Sequence, residues 1–282
     1  MGTGSSVPAR QGRGRSGRQR SQGSREDTGS CSTSREAVIA SRRTSRARDL
    51  KTFRLGILAD IHADAPALRD ALARIKDLGC DQIVCAGDIV DFGVYPEETI
   101  SIIRELKIPC ITGNHDRGAT KEGSDTTGWD LTSRAITFLE SLPRQWSATL
   151  AGVRVSMWHA RPGSDMDGIY ADASRADLEA MLDKAGADVL VVAHTHLPVC
   201  LTVSGRGMIV NPGAVLRDPA VPLEEGAMVL DPVTGKWTPA PTSCGGTLGV
   251  LELPERKFTV HRAADGVEVE IVRRTVGWLR KR

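Results

Sequence analysis

Six histidines occur in the sequence. Five of them, His62, His115, His159, His194 and His196, follow short apolar runs of the kind that form buried strands. Carboxylates and an amide share these positions: Asp60-Ile61-His62 after the first run, Gly87-Asp88 after the second and Gly113-Asn114-His115-Asp116 after the third. His159 and His194-Thr195-His196 follow two later runs. Taken singly, each has an ordinary explanation, because a strand-end Asp or Asn is commonly a turn or helix-cap residue and an isolated His is more often structural than a ligand. Taken together they imply more. In open α/β sheets, ligand sites form at the carboxyl ends of the strands, and five such ends would crowd carboxylate, amide and imidazole into one small volume. Buried like charges and unpaired polar atoms are costly there, and divalent cations remove the cost. The donors are nitrogen and oxygen with no thiolate, a set that suits Mn, Fe, Zn, Ni or Co better than a structural cysteine-type zinc site.

The elements that must position these groups read as alternating strands and helices from Phe53 onward. Arg54–Ala59, Gln82–Ala86, Ile108–Thr112, Val153–Trp158 and Val189–Ala193 are predicted strands, and Ala65–Leu78, Pro96–Leu106, Leu131–Leu142 and Ala176–Lys184 predicted helices. After Pro198 the pattern shifts to short strands at Met208–Val210, Ala227–Leu230, Thr247–Leu253, Lys257–His261 and Val267–Val272, with helices absent. Residues 214–246, rich in Pro, Gly and Thr, read as a long loop or hairpin insertion. The expected architecture is a layered α/β domain with helices flanking a central β structure.

The ordered set Asp60-x-His62, Gly87-Asp88, Gly113-Asn114-His115-Asp116, His159 and His194-x-His196 resembles the five motifs of the calcineurin-like metallophosphoesterase superfamily. The following Asn211-Pro212-Gly213 is similar to its small bacterial and archaeal phosphodiesterase subgroup. The resemblance spans residues 54–213 and implies a four-layer fold of one domain over 49–282, a central β-sandwich flanked by helices, with a two-metal site. It implies that Asp60, His62, Asp88 and His196 hold one divalent ion and Asp88, Asn114, His159 and His194 the other, with Asp88 bridging. Mn is the first expectation for these ions, with Fe, Zn, Ni, Co or Mg the alternatives. His115 is implied as general acid beside a metal-bridging hydroxide, with Asp116 orienting its imidazole. Ala160 and Ala193 stand where glycine is usual in the family. Phe92 and Ile111-Thr112 stand where its protein phosphatases carry phosphate-gripping arginines. Arg117, Arg161 and Arg217 lie close by in sequence and read as solvated surface residues. The expected activity is therefore hydrolysis of a phosphodiester or phosphomonoester, the substrate a small phosphate ester or nucleotide. A non-catalytic protein-interaction scaffold on the same fold is the alternative in another class.

Composition bounds the remaining possibilities. Residues 1–48 hold 11 Arg, no Lys and three acids, a charge of +8, and repeat Gly, Ser, Arg and Gln. Such a segment buries too little surface to order itself, so a disordered tail is expected. The other 234 residues hold 26 basic against 32 acidic side chains, a balance of −6, which gives no broad cationic footprint for nucleic acid. Only 4% of residues are aromatic, which also speaks against base-stacking platforms. Nucleic acid thus enters only through the basic tail, as in an RNA-associated nuclease that tethers its substrate there. No stretch approaches the roughly 18–20 consecutive apolar residues of a membrane span, so no membrane partner is expected. The six cysteines are scattered, without C-x-x-C pairs, as expected of a reducing cytoplasm. The five tryptophans and His261 read as packing residues.

Overall fold

The apolar run Leu55–Leu58 is buried throughout, as a strand covered on both faces must be. It belongs to β1 (Phe53–Leu58), which lies between two partners. The computed structural model of the protein describes residues 52–121, 131–217 and 246–277, and the backbone of 228–230 and 237–239. Strands β1, β2 (Gln82–Cys85), β10 (Thr247–Leu253) and β11 (Lys257–Arg262) form a four-stranded sheet in the order β11-β10-β1-β2. A six-stranded sheet has the order β12-β6-β7-β5-β4-β3. Its members are β3 (Gln145–Leu150), β4 (Val153–Trp158), β5 (Val189–Val191), β6 (Val199–Val203), β7 (Gly207–Asn211) and β12 (Val272–Val276).

The two sheets pack face to face. Leu55, Ile57, Leu251, Phe258 and Val260 of the first meet Val155, Met157, Val189, Val191 and Val210 of the second. Helices α1 (Ala65–Asp77), α2 (Pro96–Glu105) and α4 (Ser133–Ser141) cover the outer face of the first sheet, laying Leu68, Ile75, Ile103 and Leu139 on Leu58, Cys85 and Val250. On the other side α5 (Arg175–Ala185) buries Leu178, Met181 and Leu182 against Leu190, Leu201 and Ile209. The order helix, sheet, sheet, helix is the expected four-layer α/β sandwich.

Local chemistry starts these helices. The Asp64 carboxylate accepts from Ala67 N–H at 2.8 Å ahead of α1, and Ser174 caps α5 in the same way. Both helices return the chain to a parallel strand: β1 pairs parallel with β2, and β4 with β5. The carboxyl ends of four strands are thereby gathered at one edge.

Several elements differ from expectation. Ile108–Thr112 is not a strand, since only the parallel bridge Cys85↔Cys110 forms before the chain turns into the short helix α3 (Asn114–Ala119). The last strand is Val272–Val276 rather than Val267–Val272. Residues 268 and 269 lean on β11, through the His261↔Glu268 bridge and Val269 N–H to Val260 O at 2.7 Å, before the chain crosses to pair with β6. Strands β3 and β6 were not anticipated. Within the 214–246 stretch, β8 (Met228–Leu230) pairs antiparallel with β9 (Trp237–Pro239) as a hairpin. The tail 1–48 lies outside the described residues, as do Trp129 and Trp278. Trp146 and Trp158 pack at the margins of the core. His261 shares hydrogen bonds with Thr259 Oγ1 and Gly266 O, in keeping with a packing role.

Candidate metal centre

The loops leaving β1, β2, β4 and β5, together with α3, deliver all of the expected side chains to one edge. Asp60, His62, Asp88 and His159 are each at most 2% exposed. Two groups of ligand atoms result. Asp60, His62 and His196 offer atoms within 4.8 Å of one another, and Asp88, His159 and His194 do the same. Asn114 joins the second group, with Oδ1 3.0 Å from His159 Nε2 and 3.1 Å from His194 Nδ1. Asp88 lies between them: its Oδ2 is 3.1 Å from His159 Nε2 and 3.8 Å from His62 Nε2, while its Oδ1 accepts from His115 N–H.

The backbone here is bent against its own preferences. Asp60, His62, Asp88, His194 and His196 all have positive φ, between 48° and 70°. Non-glycine residues adopt this left-handed region rarely, at a cost of about 1–3 kcal/mol each, and mostly at functional sites. Hydrogen bonds between the loops hold the conformation. Ile61 and His62 N–H both donate to Asp88 O (2.8 and 3.0 Å), and Asp60 N–H donates to Gly87 O at 3.0 Å. The loop after β2 also runs hard against residue 113, where a Cβ would come within 2.6 Å of Asp88 N and crowd the Asp88 carboxylate as well. Gly113→Ala is therefore expected to push the two loops apart. It should cost about 3 kcal/mol of stability or more and displace Asp88, which urea titration together with metal content would register.

Two backbone carbonyls fix where the protons of the cluster sit. His62 Nδ1 faces Val90 O at 3.3 Å and His159 Nδ1 faces Ala86 O at 2.8 Å. A carbonyl only accepts, so in both rings Nδ1 carries the hydrogen and a neutral ring turns the Nε2 lone pair into the cluster. His159 Nε2 then confronts the oxygens of Asp88 and Asn114, acceptor against acceptor. Either a proton or a cation removes that conflict. Without a cation the proton wins: burial alone would lower the His159 pKa, but Asp88 outweighs it and pushes it up to about 10. Burial raises Asp88 too, yet the imidazoles of His159 and His62 hold its carboxyl below the usual range. Burial drives Asp60 up to about 8, and drives His62 down to about 3 and His196 down to about 4. Neutral His62 and His196 rings, an Asp60 carboxyl that ionises poorly unless a positive charge arrives, and an ionised Asp88 whose His159 proton a cation can replace make a donor set that fits divalent cations.

His115 stands at the rim, its ring centroid 5.0 Å from that of His62. Asp116 does not orient it. The buried Asp116 carboxylate instead accepts from the backbone N–H groups of Ile89 (2.8 Å), Val90 (3.2 Å) and Gly113 (2.9 Å), tying the loop after β2 to the start of α3. The partner of His115 is Asp91, whose Oδ2 accepts from Nδ1 at 2.6 Å. Burial works against a charged His115, but this bond outweighs it and the pKa is raised. Asp91 stands within Gly87–Gly93, three residues after Asp88 and five before α2 begins at Pro96, so its place in the motif was readable although its role depends on how the loop folds. Of the nearby arginines, Arg117 pairs with Asp165, and Arg217 pairs with Asp70 at 2.7 Å and donates its backbone N–H to Asp64. Arg161 is exposed.

A two-sheet α/β sandwich with buried His and Asp clusters at its strand ends is the arrangement of a metal-binding phosphoesterase. The family model for the calcineurin-like phosphoesterase superfamily domain matches residues 53–234, and the chain belongs to that superfamily. It is 28% identical over 176 residues to the uncharacterized protein MJ0912 of Methanocaldococcus jannaschii, covering 58% of this chain and 70% of that protein. Two crystal structures share the fold. A metallophosphoesterase from Sphaerobacter thermophilus aligns with TM-score 0.55 at 23% identity, over 78% of this chain and 89% of that one. The hypothetical protein PH1004 from Pyrococcus horikoshii OT3 aligns with TM-score 0.56 at 19% identity, over 78% and 88%. Among the described residues no helix is long and apolar enough to cross a membrane.

Proposed function

We propose that the protein is a metal-dependent phosphoric ester hydrolase acting on a small phosphodiester, phosphomonoester or nucleotide. In this reading Asp60, His62, Asp88 and His196 hold one divalent ion and Asp88, Asn114, His159 and His194 a second. One observation supports it: two groups of nitrogen and oxygen donors lie side by side in a buried volume, with Asp88 Oδ2 3.1 Å from His159 Nε2 of its own group and 3.8 Å from His62 Nε2 of the other. Bound divalent ions supply Lewis-acid polarisation of the phosphoryl group and activation of water. The chain's own residues do the rest. The carbonyls of Val90 and Ala86 fix the tautomers of His62 and His159 and aim their Nε2 atoms. Asp91 occupies His115 Nδ1 and favours the charged ring, so Nε2 is the nitrogen left to give a proton to the departing oxygen. Asp116 keeps the loop that carries Asp88 and Asp91 in register with His115. A scaffold without catalysis would have no use for five side chains held in strained backbone around one volume.

Metal analysis of the purified protein, followed by assay of aryl monoesters, aryl diesters and cyclic nucleotides with added Mn, tests this. We expect about two ions per chain and hydrolysis that chelation abolishes and Mn restores. A chain that neither loads divalent metal nor cleaves any of these esters would overturn the proposal.

A further inference from the structure

The described residues expose six large hydrophobic side chains, and three of them, Phe92, Val94 and Tyr95, fall within four positions beside the candidate centre. Phe92 is 47% exposed, yet its ring leans at a tilt on two histidines of the site, with centroids 4.7 Å from both His62 and His115. Packing alone does not account for it there. An exposed aromatic ring is unfavourable, and Asp91 and Phe92 both adopt positive φ (81° and 60°) to present it. The presentation is rigid. Phe92 N–H donates to Asp91 Oδ1 at 2.8 Å, and Gly93 N–H donates to His62 O at 2.9 Å. A side chain on residue 93 would strike the His62 and Ala63 backbone. Asp91 thus holds the proton-donating imidazole with one carboxylate oxygen and the Phe92 backbone with the other.

We infer that Phe92 is the floor of a leaving-group subsite that receives an aromatic ring carried by the departing alcohol. The inference rests on the reading of His115 as the group that protonates the leaving oxygen. If His115 reaches that oxygen, the atoms attached to it must lie beside the His115 ring, and Phe92 is the apolar surface found there. The chemistry recognised is a flat, uncharged ring, in a phenol or in the base of a nucleoside. A ring stacked on an aromatic side chain is bound about 5- to 30-fold more tightly than a leaving group without one.

The test uses the full chain loaded with Mn. Calorimetry should show phenylphosphonate binding about 5- to 30-fold more tightly than methylphosphonate, with Phe92→Ala bringing the two near parity, Phe92→Leu intermediate and Phe92→Trp close to the original ratio. In turnover, Phe92→Ala should raise KM for bis(p-nitrophenyl) phosphate or for a dinucleoside monophosphate more than it lowers kcat. Whichever ester suffers more identifies the source of the ring. Metal content measured on each variant separates loss of stacking from disturbance of His62. Equal binding of the two phosphonates, or a ratio that Phe92→Ala leaves intact, overturns the subsite while ester hydrolysis by the unaltered protein leaves the enzyme reading standing. Failure of the unaltered protein to hydrolyse any ester overturns both.

Discussion

Asp88→Asn is expected to abolish activity, lowering turnover by at least about 10³-fold, and to cut metal content from about two ions per chain to one or none. The substitution keeps size and shape but removes the one negative charge that the proposed function assigns to both ions. Asp88 Oδ2 faces His159 Nε2 at 3.1 Å and His62 Nε2 at 3.8 Å, and several kcal/mol of transition-state stabilisation depend on the ions such a carboxylate holds. The effect is also visible without turnover. A ligand present at a hundred times its Kd stabilises the folded chain by about 2.7 kcal/mol, roughly 5–10 °C in melting temperature for a domain of this size. Added Mn should therefore raise the melting temperature of the unaltered protein by about that much and leave Asp88→Asn almost unmoved. A variant that still melts higher with Mn and carries two ions would show that Asp88 is not the shared ligand.

The residues that converge were legible because Asp, Asn and His, each ordinary at a single strand end, recur together at successive ones and in order. The run Leu55–Leu58 predicted a strand, and Asp60 and His62 follow it at the point where the chain leaves the sheet. What was not legible depends on pairing across space. Ile108–Thr112 has the apolar composition of a strand, but beyond Cys110 it finds no further ladder and turns into α3. Val267, Val269 and Ile271 alternate as a strand should. Residues 268 and 269 lean on β11, and the regular pairing begins only at Val272, on β6 in the other sheet; hydrophobic alternation carries no information about which edge a strand will join. Strand β3 was missed because its residues alternate between exposed and half-buried, leaving only Trp146, Ala148 and Leu150 as a weak period-two signal. Asp91 and Asp116 show the same limit at the site. Asp91 lies 24 residues before His115, and the resemblance implied the orienting role for Asp116, but α3 turns that carboxylate back onto the amides of Ile89, Val90 and Gly113.

This exchange of roles changes what mutation of each carboxylate should do. Asp116 is fully buried among three backbone donors, so Asp116→Ala orphans them and acts on folding, at about 1–3 kcal/mol for each group left without a partner. Asp91 makes its contacts at the rim, so its loss should act on chemistry while the fold remains.

His115→Ala should retain both metal ions yet lose about 10²–10⁴-fold in turnover on esters with alkoxide leaving groups, the range typical of a positioned general acid. The ring makes no contact with the Asp88 carboxylate through its own nitrogens; only its backbone N–H does so, and the substitution leaves that bond in place. The loss must shrink as the leaving group needs less help. A p-nitrophenolate departs largely unprotonated, so aryl esters should fall by about tenfold or less, and the plot of log kcat/KM against leaving-group pKa should steepen in the variant. Asp91→Asn should follow the same pattern at reduced size, about 10–100-fold, because it weakens the 2.6 Å bond to Nδ1 while Nε2 remains. A merely structural role for His115 would lower the rate on aryl and alkyl esters alike and leave that slope unchanged, and the same would hold for Asp91. Equal losses on the two ester classes would therefore remove the proton from the proposed chemistry and leave the metal centre to act alone.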